Sequence, residues 1–354
     1  MNNFKIASLY AAMMAFVVIT GCREVGKQAY YTVSGPAMGT KYHITVEASN
    51  PEIVQKSIDS ILADFNLSMS AYIDSSTLTH FNTADSVFCY DSARDPYFEP
   101  VFLKSKELYQ QTGGALNPCI APLARYYGFL SKQKKTNIQP DTAEVQKLMS
   151  FLMFDSLKLD KSGTGNICIR KPKKEVNLDF NSLSPGYAVD VISRFLEQHG
   201  IMNYMIEVGG EIRTRGVNER KTEWVIGINK PSEKASETDV ELPLKLSGKS
   251  LATSGNYRNF YKSGGKTFAH IINPFTGMSQ PSDILSATVI ADDCITADGL
   301  ATAFMVLGLE KALELSEKLS GIDAFFIYDK EGDGVFEFKE SAGFGRYYLH
   351  NEQK

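Results

Sequence analysis

The chain lacks both common phosphate-loop signatures. Neither G-x-G-x-x-G nor G-x-x-x-x-G-K-[ST] occurs in its 354 residues, so the usual loop-and-helix nucleotide sites are not expected. Its five cysteines include no C-x-x-C pair, which argues against a zinc site. Positive charge is not in excess: 37 Lys and Arg stand against 41 Asp and Glu, for a net charge of −4. No basic surface for nucleic acid follows from that balance. Internal repeats and low-complexity runs are missing too.

What is present begins at the amino terminus. The apolar run "IASLYAAMMAFVVIT" follows Lys5. It is shorter than the roughly 20 residues that cross a bilayer, and it suits the apolar part of a secretory signal. Gly21 directly before Cys22 resembles a lipobox, with Ile19 where leucine is usual. Residues 1–21 are therefore expected to be a lipoprotein signal peptide, with Cys22 diacylated and residues 22–30 a tether. A plain signal peptide with an incidental cysteine is the alternative. Residues 31–350 are read as a single domain. Cys89, Cys119, Cys168 and Cys294 leave two readings open, one or two disulfides or burial as small apolar residues.

Periodicity places the elements. "KYHITVEA" alternates Tyr42, Ile44 and Val46 as a strand does. Asn50 and Pro51 open a helix whose Val54, Ile58, Ile61, Leu62 and Phe65 share a face. "FEPVFLKSKELYQQTGG" reads as a helix stopped by glycine, and Asp141 with Glu144 has capping-box spacing. Ser184 and Pro185 start a helix that Gly200 ends. Strands follow in "YMIEVGGEIRTRGV", "EWVIGINK", "SLATSG", "FAHIINP" and "SATVIA". Two helices, "TADGLATAFMVLG" and "LEKALELSEKLSG", precede a closing hairpin of "DAFFIYD" and "GVFEFKE". Runs of strands with helices between them predict an α+β fold with mixed or antiparallel sheets and packed helices.

Chemistry concentrates in a few places. Asp298 and Thr302 stand four residues apart, on one face of their helix. A carboxylate and a hydroxyl so placed form an incomplete oxygen cage for a hard cation such as Mg²⁺, one that a phosphorylated ligand could complete. The other reading is that Asp298 or Thr296 caps the helix while Thr302 bonds back to the Asp298 carbonyl. At Ser184 the helix start offers N–H groups and a free carbonyl lone pair, with Asp179 five residues earlier. The glycines of "VGGEI" and "GPAMGT" permit close backbone approach or simple turns. Of five histidines, His43, His199 and His350 read as superficial or structural; His270, in "AHIINPFTG", alone sits in a Gly/Pro-bounded motif.

Eight segments in this order, "GPAMGTKYHI", "MSAYIDSSTLTHFN", "TGGALNPCIAPLARYYGF", "VNLDFNSLSPGYAVD", "YMIEVGGEIRTRG", "LATSGNYRNFY", "HIINPFTG" and "ADGLATAFMVLG", resemble the ApbE family of FAD:protein FMN transferases. The resemblance runs from about Tyr31 to Gly308 and implies a T-fold-like architecture. It implies a Mg²⁺-dependent enzyme that splits FAD between its phosphates, attaches FMN to a threonine of a target protein and releases AMP. The implied metal ligands are Asp298, Thr302 and the Ser184 carbonyl, with Ala301 as an addition. Implied FAD contacts are Met38, Tyr72, Ala115, Leu116, Asn117, Asp179 and His270 to Ile272, with Pro185 where the family has Lys. Asn117 stands where the family has Asp, Asn181 and Ser182 where it has Gly-Gly, and Asn273 where it has Asp. His270 and Asp298 are the candidates for the catalytic base. The implied partner is a flavin-carrying subunit of a membrane electron-transport complex, such as a sodium-pumping quinone reductase. The implied location is the periplasmic side of a bacterial cell envelope, lipid-anchored to membrane. An FAD pyrophosphatase and a non-catalytic FAD-binding lipoprotein are the alternatives.

Overall fold

The computed structural model describes residues 28–130, 140–161, 165–229, 240–255, 260–263, 266–269, 271–279, 284–330 and 335–349. The lipobox, Cys22 and His270 lie outside the described residues. The chain opens with a hairpin of β1 (Ala29–Ala37) and β2 (Thr40–Ala48). Its two-residue turn, Met38 and Gly39, has φ of 46° and 82°, the left-handed backbone that tight hairpins require. Then come α1 (Pro51–Met69), α2 (Thr77–Thr83), β3 (Val87–Asp91), α3 (Phe98–Gln111), α4 (Ala121–Tyr126), α5 (Thr142–Met149), β4 (Lys158–Lys161) and β5 (Asn166–Arg170). The second half holds α6 (Ser184–Gln198), β6 (Tyr204–Val208), β7 (Glu211–Arg215), β8 (Trp224–Asn229), β9 (Val240–Leu246) and β10 (Ser250–Gly255). It closes with β11 (Phe260–Ser263), β12 (Lys266–Ala269), β13 (Ile284–Ala291), α7 (Cys294–Leu307), α8 (Leu309–Lys318), β14 (Asp323–Tyr328) and β15 (Glu337–Glu340).

Eight strands make one sheet in the order β1-β2-β6-β7-β10-β13-β14-β15, every pairing antiparallel. Side chains alternate across it. Ala252, Val289, Ala324 and Phe326 face the helices, while Leu251, Ile290, Phe325 and Ile327 pack on the other side under Ile226, Leu244, Leu246 and Phe344. The centre of the sheet is thus covered on both faces, by α1, α6 and α7 on one and by the β8–β9 ribbon on the other. Each buried Val, Leu, Ile or Phe among them contributes about 1.5–3 kcal/mol of transfer free energy.

Local sequence explains most boundaries. Asn50 accepts from Ile53 N at 3.2 Å and caps α1; Asp141 accepts from Ala143 N at 2.8 Å and caps α5. Glu144 does not reach back to complete a capping box but pairs with Lys147 at 3.2 Å. The expected start at Ser184 shifts by one residue: Leu183 is the N-cap and Ser184 is already helical. The "FAHIINP" segment is a strand only as far as Ala269 among the described residues. A small sheet, β3-β5-β4, stands apart. There Cys89 and Cys168 face each other in register and form a disulfide. Cys119 and Cys294 are free and buried.

Candidate active site

α7 is apolar or small almost all round because it is buried almost all round. Its amino end is held twice. Asp293 accepts from Thr296 N at 2.9 Å, and Asp190 of α6 accepts from Cys294 N and Ile295 N at 2.9 to 3.0 Å. The capping role that the sequence allowed to Asp298 or Thr296 therefore belongs to Asp293 and Asp190. Thr302 does not bond back to the Asp298 carbonyl either; its hydroxyl meets Ser254 Oγ of β10 at 3.2 Å.

Asp298 is left for the interior. It is buried, and one carboxylate oxygen accepts from Gly186 N, in the first turn of α6, at 3.0 Å. A Cβ on Gly186 would lie 2.5 Å from the Cys294 carbonyl oxygen and 2.8 Å from Asp298 Cβ. Only glycine lets the two helices approach so closely, and that approach brings the Ser184 turn beside Asp298. Ser184 Oγ is itself buried without a hydrogen-bond partner.

A second carboxylate joins them that the sequence reading passed over. Glu211 follows Gly209 and Gly210, whose φ of 65° and 109° make the tight β6–β7 turn. Burial pushes the Glu211 carboxyl well above its ordinary range, and the negative charges of Asp298 and Glu207 push it further. Burial likewise raises Asp298; the Gly186 N–H opposes the rise and the charge of Asp190 adds to it. The "VGGEI" glycines were the available signal, because they mark a tight turn at the cleft that Glu211 also lines.

These groups open into a cleft of about 1550 Å³. Its walls include Tyr72, Ala115, Leu116, Asn117, Asp179, Ile272, Asp298 and Thr302. Met38, Ser184, Pro185 and Ala301 are not among its walls. Ala301 is fully buried in the main core, and Met38 sits in the β1–β2 turn beside Gly39, which does line the cleft. His43, read as superficial, lines it also. Asn117 accepts from Cys119 N at 2.9 Å and so holds a short turn. Asp179 accepts from Asn181 N at 2.9 Å; burial raises its carboxyl, against the Asn181 N–H and the charge of Arg125. Burial and the charge of Asp179 together raise the Tyr72 phenol, which donates to the Phe129 carbonyl at 3.2 Å.

The donors suit a hard divalent cation: carboxylates at Asp298 and Glu211, a hydroxyl at Thr302 and main-chain oxygen at Ser184. No cluster of three or more His, Cys, Asp or Glu is placed to hold a metal among the described residues, so mixed oxygen ligation is the fitting mode. The charge of Asp298 raises Glu211, and like charges so placed carry a negative excess that a cation would balance.

A model of the ApbE family matches residues 38–326. The chain belongs to the ApbE family. Among ApbE relatives, the FAD:protein FMN transferase of Haemophilus influenzae is 33% identical over 346 residues, 96% of each chain. That of Vibrio cholerae is 32% identical over 94% of this chain and 96% of its own. The solved flavin transferase ApbE of Vibrio cholerae superposes with a TM-score of 0.79 at 30% identity, covering 90% of this chain and 99% of the other. The apo flavinyl transferase ApbE of Pseudomonas stutzeri gives 0.79 at 26% identity, covering 92% and 98%. The α+β architecture expected from the sequence is the one these ApbE structures have.

Proposed function

We propose that the chain is a Mg²⁺-dependent FAD:protein FMN transferase. Its relatives carry that activity in their names. The observation that carries the reading here is the 3.0 Å bond from Gly186 N to Asp298. It joins the start of α6 to the helix bearing Asp298 and Thr302, at the wall of a cleft large enough for two substrates. Magnesium, when bound, would neutralise charge on the two phosphates. Asp298, Thr302 and the Ser184 carbonyl would hold it, with Glu211 adjacent.

The reaction is then a displacement at phosphorus. The threonine oxygen bonds to the FMN phosphorus, the bond from that phosphorus to the bridging oxygen breaks, and AMP leaves with the electron pair. The threonine proton passes to a base, for which Asp298 and His270 are the two candidates. Tyr72, Ala115, Leu116, Asn117, Asp179 and Ile272 would bind the flavin dinucleotide. Pro185 has neither N–H nor ammonium to offer, so this chain replaces whatever the family's Lys supplies there. The acceptor is a threonine-bearing subunit of a membrane electron-transport complex. The lipobox at Cys22 supports a lipid anchor on the periplasmic side, and the Cys89–Cys168 disulfide fits an oxidising compartment.

Intact mass of an acceptor subunit after incubation with FAD and Mg²⁺ tests the reading. A covalent FMN adduct is expected, and Asp298→Ala is expected to abolish it. Free FMN and AMP with an unmodified acceptor would make the protein a pyrophosphatase instead. Loss of adduct in His270→Asn, with Mg²⁺ binding intact, would place the base at His270.

A further inference from the structure

Among the described residues β8 has one partner strand, β9, and their register sets Gly227 opposite Pro243. Proline has no N–H to give. The Pro243 carbonyl accepts from Leu349 N at 3.3 Å, on the far side of β9. Gly227 and Pro243 are therefore a pair that exchanges no hydrogen bonds, and such a residue turns its own N–H and C=O away from the partner strand. Val225, opposite Lys245, has the same parity. The main-chain groups of Val225 and Gly227 thus point out of the open edge of β8. No backbone bond joins either to another segment among the described residues.

That edge faces the cleft. Val225, Ile226 and Gly227 all line it. Successive side chains point to opposite faces of a strand, so three consecutive lining residues mean that the strand's edge meets the cavity. Gly227 leaves room for a second backbone, and Val225 beside it is 51% exposed. An unpaired strand edge is a template for strand addition. The residues matched to flavin binding, Tyr72, Ala115, Leu116, Asn117, Asp179 and Ile272, all come from other parts of the chain.

Resting on the transfer reading above, we propose that the open edge of β8 holds the acceptor protein. An extended, threonine-bearing segment adds to Val225 and Gly227 as a third strand and runs along the cleft toward Asp298 and Thr302. Recognition through main-chain bonds selects an extended backbone more than a particular sequence, which suits a macromolecular second substrate sharing one cleft with a dinucleotide.

Gly227→Pro tests this, because it deletes the outward N–H and leaves the β8–β9 bonds alone. The probe is the flavin-carrying subunit of a sodium-pumping quinone reductase, prepared without its flavin. The expected result is an acceptor KM raised about tenfold, with FAD binding, read by flavin fluorescence quenching, unchanged. Hydrogen exchange on the wild-type protein gives a second readout that needs no variant: adding the subunit should slow the amides of Val225 and Gly227. An unchanged acceptor KM in folded Gly227→Pro overturns the proposal, as do amides that stay unprotected. Protection that grows with enzyme concentration alone assigns the edge to a second copy and also overturns it. If the wild type modifies no acceptor at all, the transfer reading falls and takes this one with it; if it does and Gly227→Pro is indifferent, strand addition alone fails.

Discussion

At the scale of single residues, the centre of the molecule is a set of acids kept from water. Asp298 and Glu211 are both raised by burial. An acid whose folded value exceeds its unfolded value, roughly 4, stabilises the fold only while it keeps its proton. That stability is full below the unfolded value and is lost as pH rises through the folded one. A divalent cation bound there would take the proton's place, so Mg²⁺ should raise the melting temperature clearly near about pH 8 and little near about pH 5. Equal shifts at both pH values in a thermal melt would count against metal ligation here. Glu211→Gln removes the like charge facing Asp298. It should raise the metal-free melting temperature while weakening apparent Mg²⁺ affinity by about tenfold, measured by titration calorimetry.

At the scale of elements, the site depends on where α7 begins. Asp190 holds its first N–H groups, and Arg213 lies 3.7 Å from that carboxylate while donating to Ser250 Oγ at 3.0 Å. Burial pushes Asp190 up to about 6, against the hydrogen bonds it accepts from Cys294 and Ile295. Asp190→Ala removes the ion pair with Arg213 and leaves the first N–H groups of α7 without their acceptor, and should cost about 3 kcal/mol in urea denaturation; Asp190→Asn, which keeps an acceptor, should cost less. The β3–β5 ribbon is stapled by Cys89–Cys168 across a sequence separation of 79. Replacing both cysteines by alanine should lower stability by about 2–4 kcal/mol, and a double variant as stable as the wild type would show the staple to be idle. Helices and strands with strong periodicity, such as α1, β2 and α6, were legible because burial of one face repeats in the sequence. The cap of α7 was not. The sequence offered Asp298 or Thr296 for that role, and the packing of α6 on α7 gives it to Asp293 and Asp190 instead.

At the scale of the whole molecule, the proposed lipid anchor at Cys22 would be separable in function from the part of the chain proposed to transfer FMN. Cys22→Ala should leave a protein released from the membrane fraction with undiminished FMN transfer; continued membrane attachment would refute the lipid anchor. No helix among the described residues is long and apolar enough to cross a membrane.

The sequence by itself determined the class of fold, the positions of the long helices and the placing of Asp298 and Thr302 on one helix, because these rest on period and spacing along one chain. Family membership was legible for the same reason, as ordered local motifs. Tertiary structure alone decided that Glu211 faces Asp298, that Gly186 brings the start of α6 to that carboxylate, and that Cys89 meets Cys168. Each is a contact between segments far apart in the chain, and what makes it is close packing in three dimensions, which leaves no periodic trace in the residues that take part.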